Sequence, residues 1–198
     1  WFDACKGDSY DIWPNGSIVY QASHKHNCDS MGNVPNVSPW IYHHASANTN
    51  YATGVNVSGD YAGQPSPTMY AFRPEFQVGS FTGASQAVWS VTGTDKYVLY
   101  AGEFTRVNNT PQQGITRFAQ RSVTNKQGPM IGAANGTPTL AVVPHTGLRV
   151  SIPGNYDRDD HQLRYVVYRN DTNTVIYDGV RDSRWYDRSG FSIIDSGA

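Results

Sequence analysis

Short runs of β-branched and aromatic residues recur along this chain between clusters of Gly, Asn, Asp, Ser and Pro. That spacing predicts strands joined by turns. The clearest stretch is Val88 to Ala119. Trp89 to Thr92 is strand-like, and Gly93-Thr94-Asp95 is a turn. Tyr97 to Tyr100 is a buried apolar run, which Ala101-Gly102-Glu103-Phe104 continues with a glycine where bulk is excluded. Val107-Asn108-Asn109-Thr110-Pro111 is a tight polar turn, because Asn tolerates positive φ and Pro cannot pair in a central strand. Ile115 to Ala119 closes the unit.

The same pattern occurs earlier. Asp11 to His24 lies over Trp89 to Phe104, so that Tyr20 corresponds to Tyr100 and Ala22 to Gly102. Two copies of such a hairpin are expected of repeat architecture and of β-propeller blades; two unrelated hairpins in a sandwich are the alternative. Residues 41–87 read as an insertion with long loops, short strands at Tyr42 to Ala47 and Ala71 to Phe72, and a rigid turn at Gly63-Gln64-Pro65-Ser66-Pro67. Residues 121–138 form a polar linker containing Gly and Pro. Strands begin again at Leu140 to Val143, Leu148 to Ile152, Leu163 to Arg169, Thr174 to Tyr177 and Phe191 to Asp195.

Composition narrows the class. Lys and Glu are scarce among the 198 residues, while Tyr, Gly, Asn, Ser and Thr abound, so the expected fold is all-β with little or no helix. A net charge of −1 argues against a nucleic-acid partner, which would require a basic stripe. No apolar run approaches a membrane span, and no signal peptide is expected within these residues. Trp1 is not a translation start, so the sequence reads as processed, trimmed or a fragment. The two cysteines, Cys5 and Cys28, allow either a disulfide or two buried thiols.

Three groups of residues carry candidate chemistry. His24 and His26, two apart on a strand, share a face and could bind a transition metal with Asp29 or His43-His44; packing at a junction is the alternative. Asp157, Asp159 and Asp160 lie in one loop and could supply oxygens to Ca²⁺; a solvated turn is the alternative. Trp40, Tyr42, Tyr61 and Tyr70, with Tyr51 and Phe72, could form an aromatic platform for sugars or fill space between blades. Catalytic constellations are not legible: there is no GxSxG, and of the two glutamates, Glu75 and Glu103, the second sits in the hairpin pattern.

The run YAGEFTRVNNTPQQGITRFA, Tyr100 to Ala119, resembles the GGxF-xxVNG-xxxxGLARF signature of delta-sixty-type propeller repeats. Gly102-Glu103 stands where Gly-Gly is usual, and Asn108-Asn109 where Asn-Gly is usual. The segment from Cys5 to Ser38 resembles the preceding blade, Leu148 to Ala198 resembles the start of a following fibronectin-III-like module, and the five strands of residues 139–198 look like A, B, C, C′ and E of its sandwich. The resemblance implies two propeller blades in residues 1–120, the linker, and an incomplete sandwich in residues 139–198 of a secreted bacterial surface protein. It favours the Cys5–Cys28 disulfide, with a loop of about two dozen residues and roughly 3 kcal/mol of stabilisation. Six Asn-x-Ser/Thr sequons, at Asn15, Asn36, Asn56, Asn108, Asn135 and Asn170, suit an exposed surface, with no glycan expected in a bacterial protein. It implies a non-catalytic structural or adhesive module, with part of a carbohydrate-active enzyme or a subunit of a fibre or viral appendage as alternatives. Expected partners are the remainder of a larger chain or neighbouring subunits, and a glycan. No cofactor is expected beyond Ca²⁺, and both ends are expected to continue in covalent sequence or in partner subunits.

Overall fold

The computed structural model describes residues 1–125, 128–130, 136–157, 160, 162–169, 173–184 and 187–197. Asp159 of the candidate calcium loop, residues 126–127 and 131–135 of the linker, and sequons Asn135 and Asn170 lie outside them. The chain divides into two compact units, Trp1–Asn125 and Lys126–Ala198. The described residues are all-β: sixteen strands, with helix limited to two 3-10 turns at Asp29–Met31 and Arg121–Val123.

In the first unit β1 (Ser9–Asn15), β2 (Ile18–Lys25) and β3 (His43–Thr49) form one antiparallel sheet. The two-residue strands β4 (Gly54–Val55) and β5 (Pro65–Ser66) pair beside it in sequence. Next come β6 (Phe76–Val78), β7 (Val88–Gly93), β8 (Tyr97–Gly102), β9 (Phe104–Val107), β10 (Thr110–Pro111) and β11 (Ile115–Ala119). They build two further sheets, β11-β8-β7 and β10-β9-β6. The unit's three three-stranded sheets feed one core: Tyr20, Ala22, Ala45 and Ala47 from the first, Val88, Val91, Val98 and Tyr100 from the second, Phe76, Phe104 and Val107 from the third.

The two hairpins matched in sequence share local features. Tyr20 sits opposite Trp13, and Tyr100 opposite Val91; both tyrosines are buried in that common core. Each pairing breaks near one end, between Ser9 and Asp11 and between Val88 and Ser90, so that Tyr10 and Trp89 are the residues passed over. Such bulges re-aim a side chain. The hairpins are tied together: the Asp11 carboxylate accepts Ser90 Oγ at 2.8 Å and the Val91 amide at 2.9 Å, and Asn15 Nδ2 donates to the Thr94 carbonyl.

Three local expectations need correction. The strand beginning at Tyr97 does not run on through Phe104. It ends at Gly102, and Phe104 opens β9 in another sheet. The switch falls at Glu103, whose carboxylate turns away to accept the Phe81 and Thr82 amides. Ala71 to Phe72 is not a strand: Phe72 packs its ring edge-on against Tyr20 at 5.4 Å and Phe118 at 5.3 Å, and Pro74 follows. Pro65-Ser66 is not a turn but an edge ladder, which tolerates a residue with no N–H to give.

Bulk is indeed excluded at Gly102: a Cβ there would lie 2.1 Å from the Ala87 carbonyl oxygen. Gly102→Ala is expected to cost about 1–3 kcal/mol, because backbone must shift to admit it. An unchanged urea midpoint would contradict that.

An N-terminal segment lies against the first sheet. Phe2 N–H donates to the Pro65 carbonyl, Lys6 bridges to Asn27, and Cys5 and Cys28 are joined in a disulfide.

The second unit holds β12 (Thr139–Val143), β13 (Gly147–Ile152), β14 (Gln162–Arg169), β15 (Thr174–Asp182) and β16 (Phe191–Asp195). The order is β12-β13-β16 in one sheet and β14-β15 in a second. Phe191 joins the two through ring contacts with Tyr165 and Tyr177, and Arg169 pairs with Asp195.

Candidate functional site

The bulges of the first unit bring two aromatic residues to the surface at one place. Tyr10 and Trp89 meet edge to face with centroids 5.1 Å apart. From Tyr10 the contacts continue to His24 at 5.8 Å, from His24 to Tyr42 at 5.4 Å, and from Tyr42 to His26 at 5.7 Å. His26 stacks on Trp40 at 4.3 Å. Six rings therefore form an unbroken ribbon, drawn from β1, the end of β2, the segment before β3, and β7.

The ribbon is open to solvent. Trp40 is 56% exposed, Tyr42 45%, Trp89 39% and Tyr10 38%. Contiguous exposed aromatic surface of this kind marks interaction sites. Polar groups line it. Tyr10 Oη and His24 Nδ1 lie 3.2 Å apart, and the same nitrogen is 3.2 Å from Gln86 Oε1. His24 Nε2 is 3.5 Å from the carboxylate of Asp8, whose side chain is 75% exposed. Beneath the Trp40 stack, His26 Nδ1 is buried without a hydrogen-bond partner among the described residues.

Behind the ribbon, on β3, burial lowers the pKa of His44, and the charge of His24 acts in the same direction. Burial, with Arg73 and His44, pushes His43 down to about 4. Both are held as neutral imidazoles near neutrality.

The structure distributes the candidates from sequence as follows. His24 and His26 do lie on one side, both against Tyr42; His24 is occupied with rings and hydrogen bonds, and His26 with the rings of Trp40 and Tyr42. Asp157 is buried and exchanges backbone hydrogen bonds with the Ser183 hydroxyl, and Asp160 is half-buried. Among the described residues no three His, Cys, Asp or Glu side chains gather where they could hold a metal ion. Of the aromatic platform, Trp40 and Tyr42 join the ribbon. Tyr61 instead stacks on Phe2 at 5.1 Å, and Tyr70 packs against the core.

Sequence reasoning missed Tyr10 and Trp89 as site residues. Their signal was present as aromatic residues at the open ends of two matching hairpins, but alternation alone does not show a bulge.

The fold and the site define an all-β, disulfide-bonded protein that displays an aromatic ribbon on its first unit. No family model, curated protein or solved structure matches the chain.

Proposed function

We propose that this chain is a non-catalytic extracellular module of a larger bacterial surface protein, and that it binds glycans along the aromatic ribbon. The carrying observation is the ribbon itself, from Trp40 to Trp89. A pyranose presents a face of C–H groups that packs on an aromatic ring, while its rim hydroxyls need donors and acceptors. Tyr10, His24 and Asp8 offer those groups beside the rings. A long, shallow, ring-lined track suits an extended chain of sugars better than a small buried ligand.

The remaining features agree with this reading. A disulfide fits an oxidising compartment, and no helix among the described residues is long and apolar enough to cross a membrane. The tied hairpins of the first unit support the reading of two delta-sixty-type blades. The order β12-β13-β16 with β14-β15 apart supports a fibronectin-III-like assignment of A, B, E and C, C′. Two carboxylic acids outside Asp8 have other duties: Glu103 holds the 81–82 loop and Asp11 ties the hairpins.

The test is a fluorescence titration of the intact protein with soluble oligosaccharides. Saturable change in tryptophan emission without release of reducing ends supports the proposal. Release of reducing ends would favour the carbohydrate-active enzyme instead.

One observation favours a second reading, a fibre or appendage subunit. β12 is an edge strand with Leu140 and Val142 exposed, and such an edge invites pairing with another strand. Filaments in negative-stain images that disappear with Val142→Lys would support it.

A further inference from the structure

Four polar side chains meet inside the first unit, away from the ribbon's rings. The Lys25 side chain, at the end of β2, is 3% exposed, and that of Asp3 in the N-terminal segment is 14% exposed. Lys25 Nζ donates to Asp3 Oδ2. The same oxygen accepts from Asn48 Nδ2 at 2.7 Å and from Gln21 Nε2 at 3.1 Å. The other oxygen, Oδ1, accepts the Cys5 backbone N–H at 3.2 Å. Gln21 and Asn48 are themselves buried.

An ion pair taken this far from water is a weak stabiliser, because desolvation consumes what attraction returns. The arrangement is better suited to chemistry. The fold holds the Lys25 amine nitrogen against a carboxylate oxygen of Asp3, which replaces a bimolecular encounter of the two reacting groups with an intramolecular one. Burial lowers the Lys25 pKa, with Asp3 acting against it and Arg73 in the same direction, which favours the free amine. Burial acts to raise the Asp3 carboxyl, but Lys25 and the hydrogen bonds from Cys5 and Gln21 bring it below its ordinary value, so the proton transfer is carried by the direct Nζ–Oδ2 contact. The surroundings also exclude the water that would reverse the reaction.

We infer that Asp3 and Lys25 are joined by an intramolecular amide formed between their side chains after folding. The Lys25 ammonium first passes a proton to Asp3 Oδ2, giving a neutral amine and a carboxylic acid. The Nζ lone pair attacks Cγ, the C–N bond forms, and the carbonyl electron pair moves onto Oδ1, which faces the Cys5 N–H. A second proton passes from nitrogen to Oδ2. The Cγ–Oδ2 bond breaks and that oxygen, held by Asn48 and Gln21, leaves as water. One ammonium and one carboxylate become one amide and one water, with no oxidant, reductant or cofactor.

The bond closes nearly the same loop as the Cys5–Cys28 disulfide. It therefore keeps the N-terminal segment on the sheet when the disulfide is reduced. This cross-link stands independently of the glycan reading.

The test is the intact mass of the purified full chain after reduction and denaturation, with circular dichroism confirming a folded starting sample. The expected mass is lower than the sequence mass by one water. Digestion is expected to yield a branched peptide joining the stretch around Asp3 to the stretch around Lys25. Lys25→Arg, which keeps the charge but cannot condense in this way, is expected at its full sequence mass. A folded wild-type protein at full sequence mass overturns the inference. So does a water loss that digestion places elsewhere, or one that persists in Lys25→Arg.

Discussion

Acidification from about pH 7 to about pH 4 is expected to remove roughly 3 kcal/mol from the stability of the first unit. The source is His43 on β3, opposite Lys25 in the sheet register. Burial, the Arg73 charge and His44 push its imidazole from 6.5 down to about 4. A histidine whose folded pKa lies below its unfolded value takes up its proton preferentially in the unfolded chain. Its contribution is therefore complete above about 6.5, shrinks as the pH falls through that value, and is exhausted near 4. His44 is shifted in the same direction by burial and by His24, and adds to the loss. Asp11 acts in a different window. Burial works against its charge, but hydrogen bonds from Val91, Ser90 and Ile12 hold its carboxyl below 3.8, so its contribution is lost only at more acid pH. Urea unfolding followed by tryptophan emission at both pH values measures the effect. His43→Gln is expected to flatten the profile between them. A wild-type protein equally stable at both would contradict the assignment.

The second large effect is expected at the ribbon. Trp40 and Trp89 stand at its two ends and share no ring contact with each other. Replacing either with alanine is expected to weaken glycan binding by about tenfold, and replacing both by about a hundredfold, since distant sites add. Both side chains are exposed, so the expected stability change is within about 0.5 kcal/mol for each. Tyr61→Ala is the matched control: Tyr61 is equally exposed but stacks on Phe2 outside the ring path. Titration calorimetry with a bound oligosaccharide reads all three. Equal loss in Tyr61→Ala would show that exposed rings in general, rather than the ribbon, hold the ligand.

Local pattern made much of this fold legible. Strand-to-turn alternation located β7, β8 and β11 to within a residue or two, and Asn108-Asn109 does carry positive φ at both residues. All five strands read from residues 139–198 are present. What alternation does not encode is partnership between sheets. Glu103 looked like an interior strand residue, yet its hydrogen bonds to Phe81 and Thr82 turn the chain from one sheet into another. Phe72 looked like a strand residue because it is aromatic, but its ring fills the core from a loop. The site was half visible for the same reason. Trp40 and Tyr42 are close in sequence, and their grouping could be read directly. Tyr10 and Trp89 come together only because two hairpins lie side by side, fixed by the Asp11 hydrogen bonds. The pairing of Asp3 with Lys25 and Asn48 was invisible, because it depends on how the N-terminal segment crosses the first sheet.

Glycan binding along the ribbon is read out by an array of immobilised oligosaccharides. The intact protein is expected to be retained on a defined subset of glycans, while the Trp40→Ala/Trp89→Ala variant, folded as the wild type, is retained on none. Absence of retention by the wild-type protein on every glycan, or equal retention of the two proteins, would contradict glycan binding there.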